Sequence, residues 1–190
     1  FSETPKHINN VTSEIVGSVR ELCRHAADFA GKSGYRPFIL STGLDCEAKE
    51  AGKLIASAAR TICESSEGCA LHTLKRPCAL IWGGETVVTV RGRGIGGRNQ
   101  EMALSAALGI AGMEKVVFFS FGSDGTDGPT DAAGGMVDGY TVSRIREKGL
   151  SPERLLEEND SYHALACAGD LIVTGPTGTN VNDVAVLLCR

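Results

Sequence analysis

An α/β domain with a mixed β-sheet is the fold this sequence predicts, and three observations predict it. A helix, a short apolar strand and a second helix follow one another at crossover lengths over residues 11–63. Val116-Val117-Phe118-Phe119-Ser120-Phe121 is apolar at nearly every position, as suits a strand covered on both faces. Two glycine-rich loops, residues 94–101 and 122–131, stand one helix and one strand apart.

In chain order, Val11, Ile15, Val19, Leu22, Cys23, Ala26 and Ala30 fall at helical spacing and predict a helix over 11–30, ended by Gly31 and Gly34. Residues 37–42 read as a strand, and Ala48, Ala51, Leu54, Ile55, Ala58, Ala59 and Ile62 mark a helix near 46–63. Residues 78–82 form a buried-strand pattern, followed by Gly83-Gly84 as a tight turn or bulge. The β-branched run Thr86-Val87-Val88-Thr89-Val90 predicts the next strand. A helix near 99–111 and the strand 116–121 follow. Residues 142–148 read as helical, Ser151-Pro152 as an N-cap with proline at the first helical position, and Asp160 as the cap of another short helix. Residues 171–174 and 184–188 close the sheet. No internal repeat or linker divides residues 1–190, so the reading is a single domain.

With 42% hydrophobic and 22% charged residues the composition is that of a globular protein. A net charge of −4 argues against a nucleic-acid partner. No apolar run reaches the roughly 18 residues of a membrane span, and the first residues lack the pattern of a signal peptide. The absent initiator methionine points to a processed product or to a piece of a longer protein. Seven cysteines without a Cys-x-x-Cys pair read as small apolar residues of a reduced, cytoplasmic protein. The four histidines have no metal-site spacing, and no Gly-x-Ser-x-Gly elbow supports a hydrolase.

The first glycine loop contains Gly92-x-Gly94-x-x-Gly97 between a predicted strand and a predicted helix, the context of a dinucleotide fingerprint. Backbone without side chains lets a phosphate approach, and a helix N-terminus offers unpaired amides and positive potential. The acidic ribose ligand expected about 20 residues later is not in place, which weakens a nicotinamide reading. Glycines that only permit positive φ are the plain alternative. Arg98 at the helix entrance can grip a phosphate or carboxylate through two bonds, or pair in solvent with Glu101 one turn on. Asn99 and Glu101 equally suit a cap and a first-turn acid. In the second loop Asp124, Asp127 and Asp131 can bind Mg²⁺, supply a general base, or form Asx turns. The polar loop 177–183 offers a third wall, or a hairpin turn.

These residues carry a resemblance. Gly83-Gly84-Glu85-Thr86, Gly96-Gly97-Arg98-Asn99-Gln100-Glu101, Ser123-Asp124-Gly125-Thr126-Asp127-Gly128-Pro129-Thr130-Asp131-Ala132-Ala133-Gly134 and Thr177-Gly178-Thr179-Asn180-Val181-Asn182-Asp183 resemble the blocks of the MOFRL domain. Tyr35-Arg36-Pro37 with Leu40-Ser41-Thr42 resembles its opening strand, and the likeness runs from about residue 7 to the end. This is the C-terminal domain of class II glycerate kinases, whose bacterial members are often labelled hydroxypyruvate reductases. The resemblance implies transfer of the γ-phosphoryl group of ATP to D-glycerate, giving 2-phosphoglycerate, with Mg²⁺. It implies a cleft shared with an N-terminal Rossmann-like domain that contributes a lysine, so these 190 residues alone form an inactive half-site. A homodimer is compatible with it.

By the same resemblance Arg98 and Asp124 are catalytic, with Asp124 also the metal ligand. Gly84, Glu85, Gly96, Gly97, Asn99, Glu101, Ser123, Asp127, Asp131, Thr179 and Asn180 fall at substrate- or nucleotide-binding positions. The segment from His7-Ile8-Asn9-Asn10 to Ile15-Val16-Gly17-Ser18 departs from the family pattern, with Val19 where asparagine is usual. A nicotinamide-dependent hydroxypyruvate reductase and a non-catalytic binding module are the alternatives.

Overall fold

In the computed structural model, which describes residues 10–12, 14, 16–64 and 69–190, the first helix begins at a capping serine. The Ser18 Oγ accepts the Glu21 amide at 3.3 Å, and α1 (Val19–Lys32) runs from there. The helix therefore starts eight residues later than the apolar spacing predicts. Val11 and Val16 are exposed, and Gly17-Ser18 favours an extended entry over helix. Ile15 and His7-Ile8-Asn9 lie outside the described residues.

Strand β1 (Arg36–Leu44) and helix α2 (Ala48–Cys63) follow, then a 3₁₀ turn at Ala70–Thr73 and strand β2 (Cys78–Gly84), buried at every position. The strand predicted over 86–90 does not form. Only Val87 makes a bridge, to Glu47, and the backbone there bonds to the entrance of α2: the Ala48 amide to Val87 O at 2.8 Å, and the Val87 amide to Cys46 O at 3.1 Å. β-Branched propensity was overridden because these bonds pair the segment with a helix entrance.

Helix α3 (Arg98–Ile110) and strand β3 (Val116–Gly122) match their expectations. Strand β4 (Gly134–Asp138) escaped the sequence reading because Gly134-Gly135 reads as a turn. Here the glycines serve close approach, since a Cβ on Gly134 would stand 1.9 Å from Ser120 O. Helices α4 (Thr141–Glu147), α5 (Pro152–Glu157) and α6 (Ser161–Ala168), the short strand β5 (Leu171–Ile172) and β6 (Asp183–Cys189) complete the chain. Ser151 caps α5 through its Oγ, but the Asp160 carboxylate does not cap α6.

The six strands form one mixed sheet in the order β1-β2-β6-β3-β4-β5, with β1 and β2 parallel and the other neighbours antiparallel. Helix α1 covers one face, packing Cys23 and Ala30 on Ala79, Ile81, Val184 and Val186. Helices α2 and α3 cover the other, with Ile55, Met102 and Ala106 over Leu80, Phe118 and Leu187. Beyond α3, Leu104 packs with Ile145 of α4 and Ala164 of α6. Strand β3 is fully buried only on the α3 side; Val117, Phe119 and Phe121 are half-buried, so the two-sided cover predicted for it is half realised. Three cysteines (Cys23, Cys78, Cys189) are buried, whereas Cys46 is exposed and Cys63, Cys69 and Cys167 are partly buried.

Helices α2 and α3 approach through small residues. A Cβ on Gly52 would stand 2.5 Å from Met102 O and 2.9 Å from the Ala106 amide nitrogen, and Ser105 Oγ bonds Lys49 O at 2.6 Å. Gly52→Ala should therefore destabilise the fold by about 2 kcal/mol, overpacking outweighing the gain in helix propensity. Denaturant unfolding measures it; a stabilised variant would mean that the helices separate at little cost.

Candidate functional site

The sheet gathers the separated sequence blocks at one end. Gly84 at the end of β2 pairs with Asp183 at the start of β6, and Asp183 pairs with Gly122 at the end of β3. Because β6 runs antiparallel to both neighbours, its first residue lies level with their last ones. The start of α3 stands over this row.

Arg98, the first residue of α3, reaches onto it. Its Nε donates to Asp183 Oδ2 at 2.5 Å and its Nη2 to Asp183 Oδ1 at 3.1 Å, a two-point grip on a carboxylate only 8% exposed. Its Nη1 meets Glu85 Oε1 at 3.1 Å. The Asp183 bond, with the neighbouring carboxylates of Asp183, Glu85 and Asp127, holds the guanidinium more firmly protonated than usual. The alternative of a solvated pair with Glu101 does not occur.

The amides at the entrance of α3 are not all free. Asp127 Oδ1 accepts the Asn99 amide at 3.1 Å and its side-chain Nδ2 at 3.2 Å, and Oδ2 accepts the Gln100 amide at 2.9 Å. The anion at this helix N-terminus is thus the protein's own carboxylate. Burial pushes the Asp127 carboxyl up, against the bonds from Gln100 and Asn99 that pull it down. Asn99 is buried and accepts the Ser120 hydroxyl as well, so its side chain faces inward. The amides of Gly96, Gly97 and Arg98 have no partner among the described residues.

The glycine fingerprint has a packing origin. A Cβ on Gly92 would meet the Glu158 backbone, on Gly94 Asp160, on Gly96 the Ser161 Oγ and on Gly97 the Asp127 carboxylate, each within 2.3 Å. Asp160 Oδ1 takes the Ile95 amide at 3.0 Å, and Asn159 Oδ1 takes those of Arg91 and Gly92 at 2.7 and 2.9 Å. The side-chain positions of these glycines are filled by the α5–α6 connection and Asp127, and no strand precedes the loop.

Glu101, in the first turn of α3, is 2% exposed and accepts the Asn159 Nδ2 at 2.9 Å. Burial pushes its carboxyl above the ordinary range, partly opposed by that bond. The folded state therefore keeps this proton to higher pH than the unfolded chain. The associated stability is complete below the unfolded pKa and is lost as pH rises through the raised one. Glu101→Gln should raise Tm at pH 8 and change it much less at pH 4.5; an equal shift at both pH values would contradict the assignment.

Glu85, Thr86, Val87, Val88, Val90, Gly96, Gly97, Arg98, Glu101, Asp127 and Asn159 line an open cleft of about 740 Å³. Of the candidate positions, Glu85, Gly96, Gly97, Arg98, Glu101 and Asp127 are brought together there. Gly84 does not line it; it pairs with Leu44 of β1, and a Cβ there would stand 2.2 Å from Leu44 O. Thr86, two residues on, is 3% exposed, and its hydroxyl has no partner among the described residues.

Ser123, Asp124, Thr179 and Asn180 form a second group outside this cleft. Ser123 Oγ accepts the Val181 amide at 2.8 Å and Ser123 O accepts the Thr177 hydroxyl at 2.5 Å, clamping the last loop to the second glycine loop. Asp124 Oδ1 holds the Thr126 amide at 3.0 Å in an Asx turn, and its Oδ2 lies 3.4 Å from Asn180 Nδ2. Thr179 is exposed, its amide turned to the Thr177 hydroxyl. A Cβ at Gly122 would touch both Asp124 and Asp183, so the two carboxylates flank one glycine. Asp131 stands apart and accepts the Tyr162 hydroxyl at 2.8 Å. Among the described residues no three His, Cys, Asp or Glu side chains are grouped to hold a metal ion.

Two participants escaped the sequence reading as individual residues. Asp183 was present only as the last residue of a polar loop, and its signal was its position before an apolar strand. Asn159 lies at φ 53° between two short helices, and an asparagine at a helix–helix junction was its only local sign.

Comparison with known proteins returns a consistent picture. The MOFRL family profile matches residues 78–183, more than half of the chain. A D-glycerate 2-kinase of Thermotoga maritima is 52% identical over 186 residues, covering 98% of this chain and 43% of the relative. A relative from Agrobacterium vitis, 36% identical over 94% of this chain and 47% of its own length, carries a provisional hydroxypyruvate reductase name. The crystal structure of a Thermotoga maritima glycerate kinase superimposes with a TM-score of 0.91 at 51% identity, over 98% of this chain and 44% of that one. The chain thus spans less than half the length of each of these proteins.

Proposed function

Since the chain belongs to the MOFRL family, we propose that residues 1–190 are the C-terminal part of an ATP-dependent D-glycerate 2-kinase, a phosphotransferase that forms 2-phosphoglycerate. The observation that carries this reading is Arg98, a cation held rigidly by Asp183 at the edge of a cleft otherwise lined by the acids Glu85, Glu101 and Asp127. Phosphoryl transfer needs positioned substrates and neutralised charge more than covalent help from the protein. Arg98, with the neighbouring amides of Gly96 and Gly97, suits an oxyanion: the glycerate carboxylate or a phosphoryl oxygen.

One cation among three acids is half of such a site. A lysine from an N-terminal Rossmann-like domain, closing over the cleft, would balance the charge that ATP and glycerate bring. The described residues offer Mg²⁺ no cage, but Mg²⁺ commonly binds through one or two carboxylates with waters and nucleotide phosphates, and Asp124 beside Gly122 fits that role. Bound there, the ion would neutralise phosphate charge. Asp124 would otherwise orient the glycerate 2-hydroxyl. Among the described residues no helix is long and apolar enough to cross a membrane. A cytoplasmic location is proposed from the cysteine usage, seven cysteines without a Cys-x-x-Cys pair.

The hydroxypyruvate reductase reading draws on the names of two relatives, but it loses the glycine fingerprint to packing. A direct test gives the intact protein D-glycerate, ATP and Mg²⁺ and measures ADP release, with NADH and hydroxypyruvate in a parallel cuvette. ADP release that depends on D-glycerate supports the kinase; loss of NADH absorbance without ADP release overturns it.

A further inference from the structure

The two carboxylates on Arg98 differ in character. Asp183 is nearly buried and holds Nε and Nη2 together. Glu85 touches only Nη1, and its side chain is 55% exposed. An exposed single-point pair contributes little and exchanges readily, whereas breaking the inner pair would strand a charge away from water. Glu85 also lines the cleft, beside the Gly96 and Gly97 amides that have no partner among the described residues. Thr86, next in the chain, lines the same cleft, and its hydroxyl is buried and without a partner among the described residues. Residues carrying donors that Glu85 does not use therefore line the same cleft as the Glu85–Arg98 contact.

We propose that Glu85 is a built-in competitor for Arg98, occupying Nη1 until an oxyanion of the bound small molecule displaces it at the point that Asp183 leaves open. This rests on the reading of the cleft as the substrate site. The displacing group is a carboxylate or a phosphoryl oxygen. On displacement Glu85 swings to solvent, and the incoming oxyanion takes the guanidinium edge together with the free hydroxyl and amides. No covalent step is involved, so the contact tunes affinity and not the chemistry of transfer.

The test is equilibrium binding to the intact protein of D-glycerate and, separately, of ATP, for the wild type, Glu85→Gln, Arg98→Ala and the double variant. Glu85→Gln sits on the surface and keeps the size of the side chain, so it should fold. It should tighten whichever ligand meets Arg98 by about two- to fivefold, the scale of an exposed ion pair, and leave the other unchanged. A tightened D-glycerate identifies the carboxylate as the displacing group; a tightened ATP identifies the phosphates. The gain should vanish in the Arg98→Ala background. Unchanged or weaker binding of both ligands by Glu85→Gln overturns the competition, as does a gain that persists without Arg98. If Arg98→Ala leaves both affinities untouched, it is the reading of the cleft that fails; if it weakens one and Glu85→Gln tightens neither, only the competition fails.

Discussion

Arg98→Ala in the intact protein is expected to lower kcat/KM for D-glycerate phosphorylation by 10²-fold or more, about 2.7 kcal/mol of lost transition-state stabilisation. The size follows from the environment. The guanidinium is locked by Asp183 at two points and leaves Nη1 toward the cleft, so its charge is aimed before substrate arrives. The variant also strands Asp183, which is 6% exposed, and should lose about 2 kcal/mol of stability, less than a fully buried pair would. Arg98→Lys separates the two effects. It keeps a positive charge for Asp183 but not the planar fork, so stability should largely return while kcat/KM stays low. Near-normal kinetics for folded Arg98→Ala would remove this residue from the site.

Asp127→Ala is expected to cost about 3 kcal/mol of folding stability. Three donors lose their acceptor at once: the Asn99 and Gln100 amides and the Asn99 side chain. Each buried donor left alone costs roughly 1–3 kcal/mol, and part of that sum is returned because the carboxylate no longer has to be buried. Asp127→Asn keeps one acceptor and should cost less. Urea unfolding ranks the wild type above Asp127→Asn above Asp127→Ala; an Asp127→Ala variant as stable as the wild type would mean that water satisfies those amides. The two glycine loops touch here, since a Cβ on Gly128 would lie 2.4 Å from Gly96 O, so the variant should also disturb the backbone that carries Arg98.

Much of the fold was legible because burial writes itself into local pattern. Strand β3 and helix α3 bury continuous apolar faces, and Ser151-Pro152 starts α5 as its chemistry dictates. Strand β4 was not, because two glycines chosen for close approach look locally like a turn. Residues 86–90 had the side chains of a strand and lacked one beside them. At the site, the four blocks were legible as motifs, but the division of labour among like residues was not. Asp124 and Asp127 are three residues apart and chemically identical, yet Asp124 folds onto its own turn while Asp127 caps a helix 28 residues earlier. That difference comes from positive φ at Gly125 and Gly128 turning the chain back on α3. Likewise the glycine fingerprint left a phosphate loop and a plain turn open, and what its missing side chains admit is the backbone and side chains of Glu158, Asp160 and Ser161, some 65 residues on, and of Asp127.

If the cleft edged by Arg98 serves phosphoryl transfer to the 2-hydroxyl of D-glycerate, the position of the new phosphate on the product reports it. The measurement that tests it most directly is ³¹P NMR of the product formed by the intact protein from D-glycerate, ATP and Mg²⁺, run beside Arg98→Ala. A 2-phosphoglycerate signal that grows with ADP in the wild type and is suppressed at least 10²-fold in the variant is the predicted result. A 3-phosphoglycerate signal, no phosphorylated product, or equal rates in the two proteins would contradict it.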